Sequence, residues 1–315
     1  MGGASASSLS FAWDWVYIIT NRMTPSLASE SMRPLSDSQK TALVKLLADD
    51  DPAVYQAIRA KILSYGDVAS DWLRPHTLSS DPLLRRRVQE IVHHLASQVA
   101  DNRFLAFCVT QGEDLDVEEG AWLLAQTQYP EINVAAYGAL LDSYASDLRE
   151  QIDFGAEPEA ILATINRYLF SELEYGGNEE NYYDPDNSYL NRVIDRRTGN
   201  PISLCLIYLF VARRLRLPVV GIGMPGHFLV RFQSSAAGEL YIDAFNRGKL
   251  LTKADCIKYL LHTSYGFQET YIAPVSPRRI LLRVCSNLHQ IYSQLSLSEE
   301  AARLQRYIVA LSKQS

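Results

Sequence analysis

The sequence predicts an α+β protein, mainly helical, with a small antiparallel sheet packed on one buried helix. Three observations carry that class. Apolar residues recur at three- and four-residue steps over most of the chain, the period of a half-buried helix. One run, Pro201 to Leu215, is apolar on nearly every side until Arg213 and Arg214, so it reads as a helix buried around most of its circumference. Three short strand-like segments follow at once, 218–223, 227–233 and 239–245, the last two joined by residues 234–238. Sequential strands with short links pair antiparallel and cover the helix before them.

Composition bounds the rest. The 315 residues are 47% hydrophobic and 21% charged, a globular balance that excludes a fibre and wholesale disorder. A net charge of −6 argues against nucleic acid as the main partner, since phosphate binding calls for a basic face. Cys108, Cys205, Cys256 and Cys285 lie far apart with no C-x-x-C pair, which reads as reduced thiols of a cytoplasmic protein. No metal or cofactor is expected. The apolar segment Leu9 to Thr20 is interrupted by Asp14 and is too short to span a bilayer, which takes about 20 residues. The opening Met-Gly-Gly-Ala-Ser-Ala puts Ala6 where a myristoylation signal prefers Ser or Thr, leaving a peripheral membrane contact open.

The elements follow in order after a tail over 1–35. Residues 36–111 read as helices in two related units, Asp51-Pro52-Ala53-Val54 and Asp81-Pro82-Leu83-Leu84. Each Asp caps a helix whose first residue is Pro, because Pro lacks only an N–H that would be orphaned there. Two such units resemble a short stack of HEAT type. Arg85-Arg86-Arg87 and His93-His94 read as a solvated face. Helices follow over Val117 to Leu148 and Pro158 to Leu173, then an Asn- and Tyr-rich loop from Tyr175 to Asn191. Asn200 caps the buried helix with Pro201 at its first position. The chain closes with an antiparallel helix pair, Arg278 to Leu295 and Ser298 to Leu311, where Ser296 and Glu299 have capping-box spacing.

A buried helix followed by an antiparallel sheet is the core arrangement of papain-like folds, with a nucleophile at the helix start, His on one strand and a carboxylate on the next. In chain order the candidates are Cys205, His227 and Asp243: His takes the thiol proton, and the carboxylate fixes its tautomer. Leu204 and Leu206 flank Cys205, however, and apolar surroundings make a thiol inert.

Three ordered motifs resemble the SirB-type transglutaminase-like family: Tyr182-Tyr183-Asp184-Pro185-Asp186-Asn187-Ser188-Tyr189-Leu190-Asn191, Arg196-Arg197-Thr198-Gly199-Asn200-Pro201-Ile202-Ser203-Leu204, and Pro225-Gly226-His227-Phe228-Leu229. The resemblance covers about half the chain and assigns 112–273 to a transglutaminase-like domain. It also makes the pair over 274–315 a shortened tetratricopeptide-like extension. His227 and Asp243 match the family's His and Asp. The resemblance places Pro201, not Cys205, at the nucleophile position, and Pro has no nucleophilic atom.

The resulting expectation is a non-catalytic or weakly catalytic transglutaminase-like protein, acting as a protein-binding, regulatory or assembly factor. Its cleft candidates are Asn187, Ser188, Asn191, Arg197 and Ser203. The alternative is a cysteine-dependent acyl-transfer enzyme using Cys205, His227 and Asp243.

Overall fold

The computed structural model describes residues 35–233 and 239–313. The amino-terminal tail with its Leu9–Thr20 segment and the 234–238 connection lie outside the described residues. The chain divides into two compact units after Ala96, a point that lies within helix α4 (Pro82–Thr110).

The first unit holds α1 (Asp37–Leu47), α2 (Pro52–Leu63), α3 (Val68–Leu73) and the opening turns of α4. Both Asp-Pro starts act as caps. Asp51 Oδ1 accepts the Ala53 N–H at 2.8 Å, and Asp81 Oδ1 accepts the Leu83 N–H at 2.9 Å. Leu47, Ile62, Leu73, Val88, Ile91 and Leu95 form its buried core. The solvated-face expectation fails at Arg87. Its guanidinium donates to the carbonyls of Leu47 and Asp49 at 2.7 Å and stacks over Tyr55, closing the end of α1.

The second unit contains α5 (Val117–Gln128), α6 (Val134–Gln151), α7 (Pro158–Asn166), α8 (Leu190–Arg196), α9 (Pro201–Arg214), α10 (Lys253–Leu261), α11 (Pro277–Gln294) and α12 (Ser298–Ser312). The stretch 117–148 is thus two helices, broken around Tyr129 and Pro130, where Pro restricts the preceding residue to extended backbone. A two-residue parallel pair joins β1 (Gly176–Gly177) to β2 (Thr198–Gly199). The main sheet is antiparallel in the order β3 (Val219–Ile222), β4 (Leu229–Gln233), β5 (Glu239–Asp243), β6 (Lys249–Leu251), one strand more than the sequence reading expects.

Helix α9 is the axis of this unit. Ile202, Leu204, Cys205, Leu206, Ile207, Tyr208, Phe210 and Val211 are all buried, which explains the run with no polar face. Each such large apolar side chain contributes about 1.5–3 kcal/mol through burial. Helices α11 and α12 pack on the same core through Ile280, Leu281, Val284, Leu288 and Leu304, so the last helix pair belongs to this unit.

The capping box at Ser296 does not form. Ser296 takes a left-handed turn (φ 59°), and the Leu297 N–H returns to the Tyr292 carbonyl at 2.9 Å, closing α11 instead of opening α12. Buried Arg278 ties this region together by donating to the carbonyls of Gln111, Ala310, Leu311 and Lys313 at 2.7–3.0 Å. Among the described residues, no helix is long and apolar enough to cross a membrane.

Candidate functional site

The start of α9 is built from small and polar residues locked together. At Gly199 a Cβ would lie 2.6 Å from Ser203 Oγ and 2.9 Å from Val193 Cγ1, so only glycine fits beneath the helix start. Asn200 Oδ1 accepts the Ser203 N–H at 3.0 Å, while Ser203 Oγ accepts the Asn200 N–H at 3.1 Å. Ser203 Oγ also donates to the Asn187 carbonyl at 2.6 Å, and Asn200 Nδ2 donates to Ser188 Oγ at 2.8 Å. Asn187 in turn donates to the Asn181 carbonyl at 2.7 Å and accepts from Asn178 at 3.0 Å. These bonds give the Asn-rich loop its order. They are made by side chains, so no apolar period announces them.

Pro201 and Ile202 then face a cleft of about 350 Å³, shared with Tyr182, His227, Arg283 and Asn287. The base arrives from the sheet. Gly226 turns with φ 74°, a conformation that glycine adopts freely, and His227 leads into β4. Leu229 opens β4, and the β4–β5 register pairs Val230 with Ile242, bringing Asp243 to the same end of the sheet as His227. His227 Nε2 lies 2.9 Å from Asp243 Oδ2, although its N–H direction is off the line between them. With Nε2 turned to the carboxylate, Nδ1 is the nitrogen left for the cleft.

Burial pushes the Asp243 carboxyl up, but the contacts from His227 and Asn246 outweigh this and hold it below the usual carboxylate range. Asn246 donates to Asp243 through its side chain at 2.7 Å and its backbone at 3.2 Å.

Cys205 does not join this pair. It is fully buried, its thiol donates to the Phe228 carbonyl at 3.5 Å, and burial pushes the thiol well above its ordinary range. A thiolate, the form that attacks a carbonyl, is therefore suppressed. The other three cysteines are also buried, and burial raises Cys108 and Cys256 to about 12.

The five residues expected to line the cleft stand behind its wall. Asn187, Ser188, Asn191 and Ser203 are buried in the scaffold of the helix start. Arg197 occupies the left-handed turn after α8, donates to the Leu173 carbonyl at 2.8 Å and lies over Tyr175. Polar loop residues look like ligand contacts in a sequence, yet here Asn187, Arg197 and Ser203 spend their donors on backbone carbonyls, Ser188 accepts from Asn200, and the Asn191 Oδ1 is buried without a partner. Arg192 and Arg196 pair with Asp186 and Asp184 at 2.9 and 2.8 Å, while Asp195 accepts from Tyr137. Nothing in the sequence marks Arg283 and Asn287, because each reads as an ordinary polar position on an amphipathic helix. Among the described residues, no cluster of His, Cys, Asp and Glu could hold a metal.

A buried helix whose start faces a His just before one strand and an Asp at the end of the next is the arrangement of a transglutaminase-like domain, and the family model described as Transglutaminase-like superfamily matches residues 135–286. The UPF0162 protein of Xylella fastidiosa is 38% identical over 206 residues, spanning 63% of this chain and 73% of that one. A UPF0162 protein of Pseudomonas aeruginosa is 30% identical over 189 residues, 59% of this chain and 68% of its own. The chain belongs to the UPF0162 family. It is also similar to human F-box only protein 21, 36% identical over 135 residues that make up 41% of this chain and 21% of that protein. No solved structure matches the chain.

Proposed function

We propose that this protein is a non-catalytic, SirB-type member of the transglutaminase-like group, whose cleft recognises a protein partner in the cytoplasm and serves regulation or assembly. The observation that carries the reading is Pro201. It occupies the helix-start position on the cleft that it shares with His227, and it supplies neither a nucleophilic atom nor a backbone N–H for an oxyanion. Cys205, sealed beneath Phe228, offers no replacement. The His227–Asp243 pair then remains as an oriented donor and acceptor for binding. The helices over 36–111 and α11–α12 are read as HEAT-like and tetratricopeptide-like docking surfaces, by analogy with helical stacks.

Substitution Pro201→Cys tests this directly. A cysteine there gains an adjacent base and a helix start, so iodoacetamide labels it fast near neutral pH, and His227→Ala slows that labelling. The unsubstituted protein shows no turnover of an activated acyl ester beyond its His227→Ala variant. Ester turnover by the unsubstituted protein that disappears in both Cys205→Ser and His227→Ala would overturn the reading.

A further inference from the structure

Arg283 carries an observation that the fold does not consume. Among the described residues it is the one partly buried arginine with no carboxylate or carbonyl to receive its donors. Arg192, Arg196, Arg214 and Arg231 all meet acids, and buried Arg278 meets four carbonyls. Arg283 instead lies over the Phe228 ring, 5.8 Å from its centroid, on the wall of the cleft beside His227. Burial pulls its guanidinium below its ordinary range, while the nearby Tyr182 and Tyr259 hydroxyls act in the opposite direction.

Three neighbours point the same way. Asn287, one helical turn after Arg283, lines the cleft, and Gln290 follows at the next turn on the same face. The Ile202 N–H is left over at the start of α9: the Asn200 cap takes the Ser203 N–H, and Pro201 has none. That 14-residue helix also presents its positive end to the cleft. Among the described residues, no acidic side chain lines the cleft.

Resting on the recognition reading above, we propose that the cleft binds the free carboxylate at the end of an extended peptide, held in two-point contact by Arg283. The guanidinium fork matches a planar carboxylate, whereas a doubly charged phosphate would draw on more than one permanent cation. The amides of Asn287 and Gln290 suit a peptide backbone, and about 350 Å³ accommodates two or three residues at its end.

The test is calorimetric titration of the full chain with two pools of N-acetylated tetrapeptides, one ending in the free acid and the other amidated. Sodium acetate and inorganic phosphate are the further arms. The free-acid pool should bind about tenfold tighter than the amidated pool or better, and tighter than either small anion. Arg283→Gln should remove the preference and Arg283→Lys restore only part of it. Asn287→Asp, which sets a carboxylate before Arg283, should block the acid pool while leaving the melting temperature within a few degrees. Equal affinity for the two pools, tighter binding of acetate or phosphate, no binding at all, or an acid preference that survives Arg283→Gln and Asn287→Asp overturns the proposal. Mass analysis of the peptides separates the failures. Intact but unselected peptides defeat the carboxylate assignment alone, whereas cleaved peptide or acylated Cys205 defeats the recognition reading beneath it.

Discussion

The Cys205 thiol donates to the carbonyl of Phe228, the residue immediately after His227, and that one-residue offset separates a sulfur from its nearest base. The sulfur meets the backbone just before β4 while the imidazole turns toward Asp243 and the cleft. Cys205→Ser should therefore cost only about 1–2 kcal/mol, since a hydroxyl can keep the bond to Phe228 and loses chiefly apolar transfer energy. Chemical denaturation measures the cost, and ligand binding by the cleft should be unchanged.

Asp243 sets a pH dependence with a definite sign. Its folded carboxyl is held below the usual carboxylate range, so the stabilisation is fully present above the unfolded value near 4. It is lost as pH falls through the lower folded value. Melting temperatures from pH 7 downward should show an acid-side loss in the native protein that is smaller in Asp243→Asn.

The helix start tolerates little. Gly199→Ala places a methyl against Ser203 Oγ and Val193 and should cost about 1–3 kcal/mol by overpacking. Asn200→Ala removes both the cap and the donor to Ser188, for about 1–2 kcal/mol. Urea midpoints of the two variants check the pair.

Arg278 is the polar keystone of the last helices. Arg278→Met should destabilise the second unit by about 3 kcal/mol, because four carbonyls lose a charged donor together. Arg278→Lys should recover part of that loss. Denaturation followed by tyrosine fluorescence measures both.

Helix α9 was legible because burial on all sides leaves a continuous apolar run, and the Asp-Pro helix starts were legible because their chemistry is local. His227 and Asp243 could be paired because two sequential strands close on each other. What escaped depends on contacts between distant segments. Ser203 is consumed by Asn187, 16 residues away, and Arg278 by carbonyls 32 to 167 positions off, so neither role shows in a window of sequence. Arg283 sits on a helix with apolar and polar residues at ordinary spacing, and only the fold reveals that no acid meets it. The capping box at Ser296 failed for a different reason. The same residues can close the preceding helix, and the left-handed turn at Ser296 takes that option.

On the recognition reading, the His227–Asp243 pair has no working thiol. Its most direct test is the rate of iodoacetamide labelling at each cysteine of the folded native protein near neutral pH, resolved by peptide mass. The structure predicts slow labelling of Cys205, comparable with buried Cys285 and unaffected by His227→Ala. Fast labelling selective for Cys205 and lost in His227→Ala would contradict it.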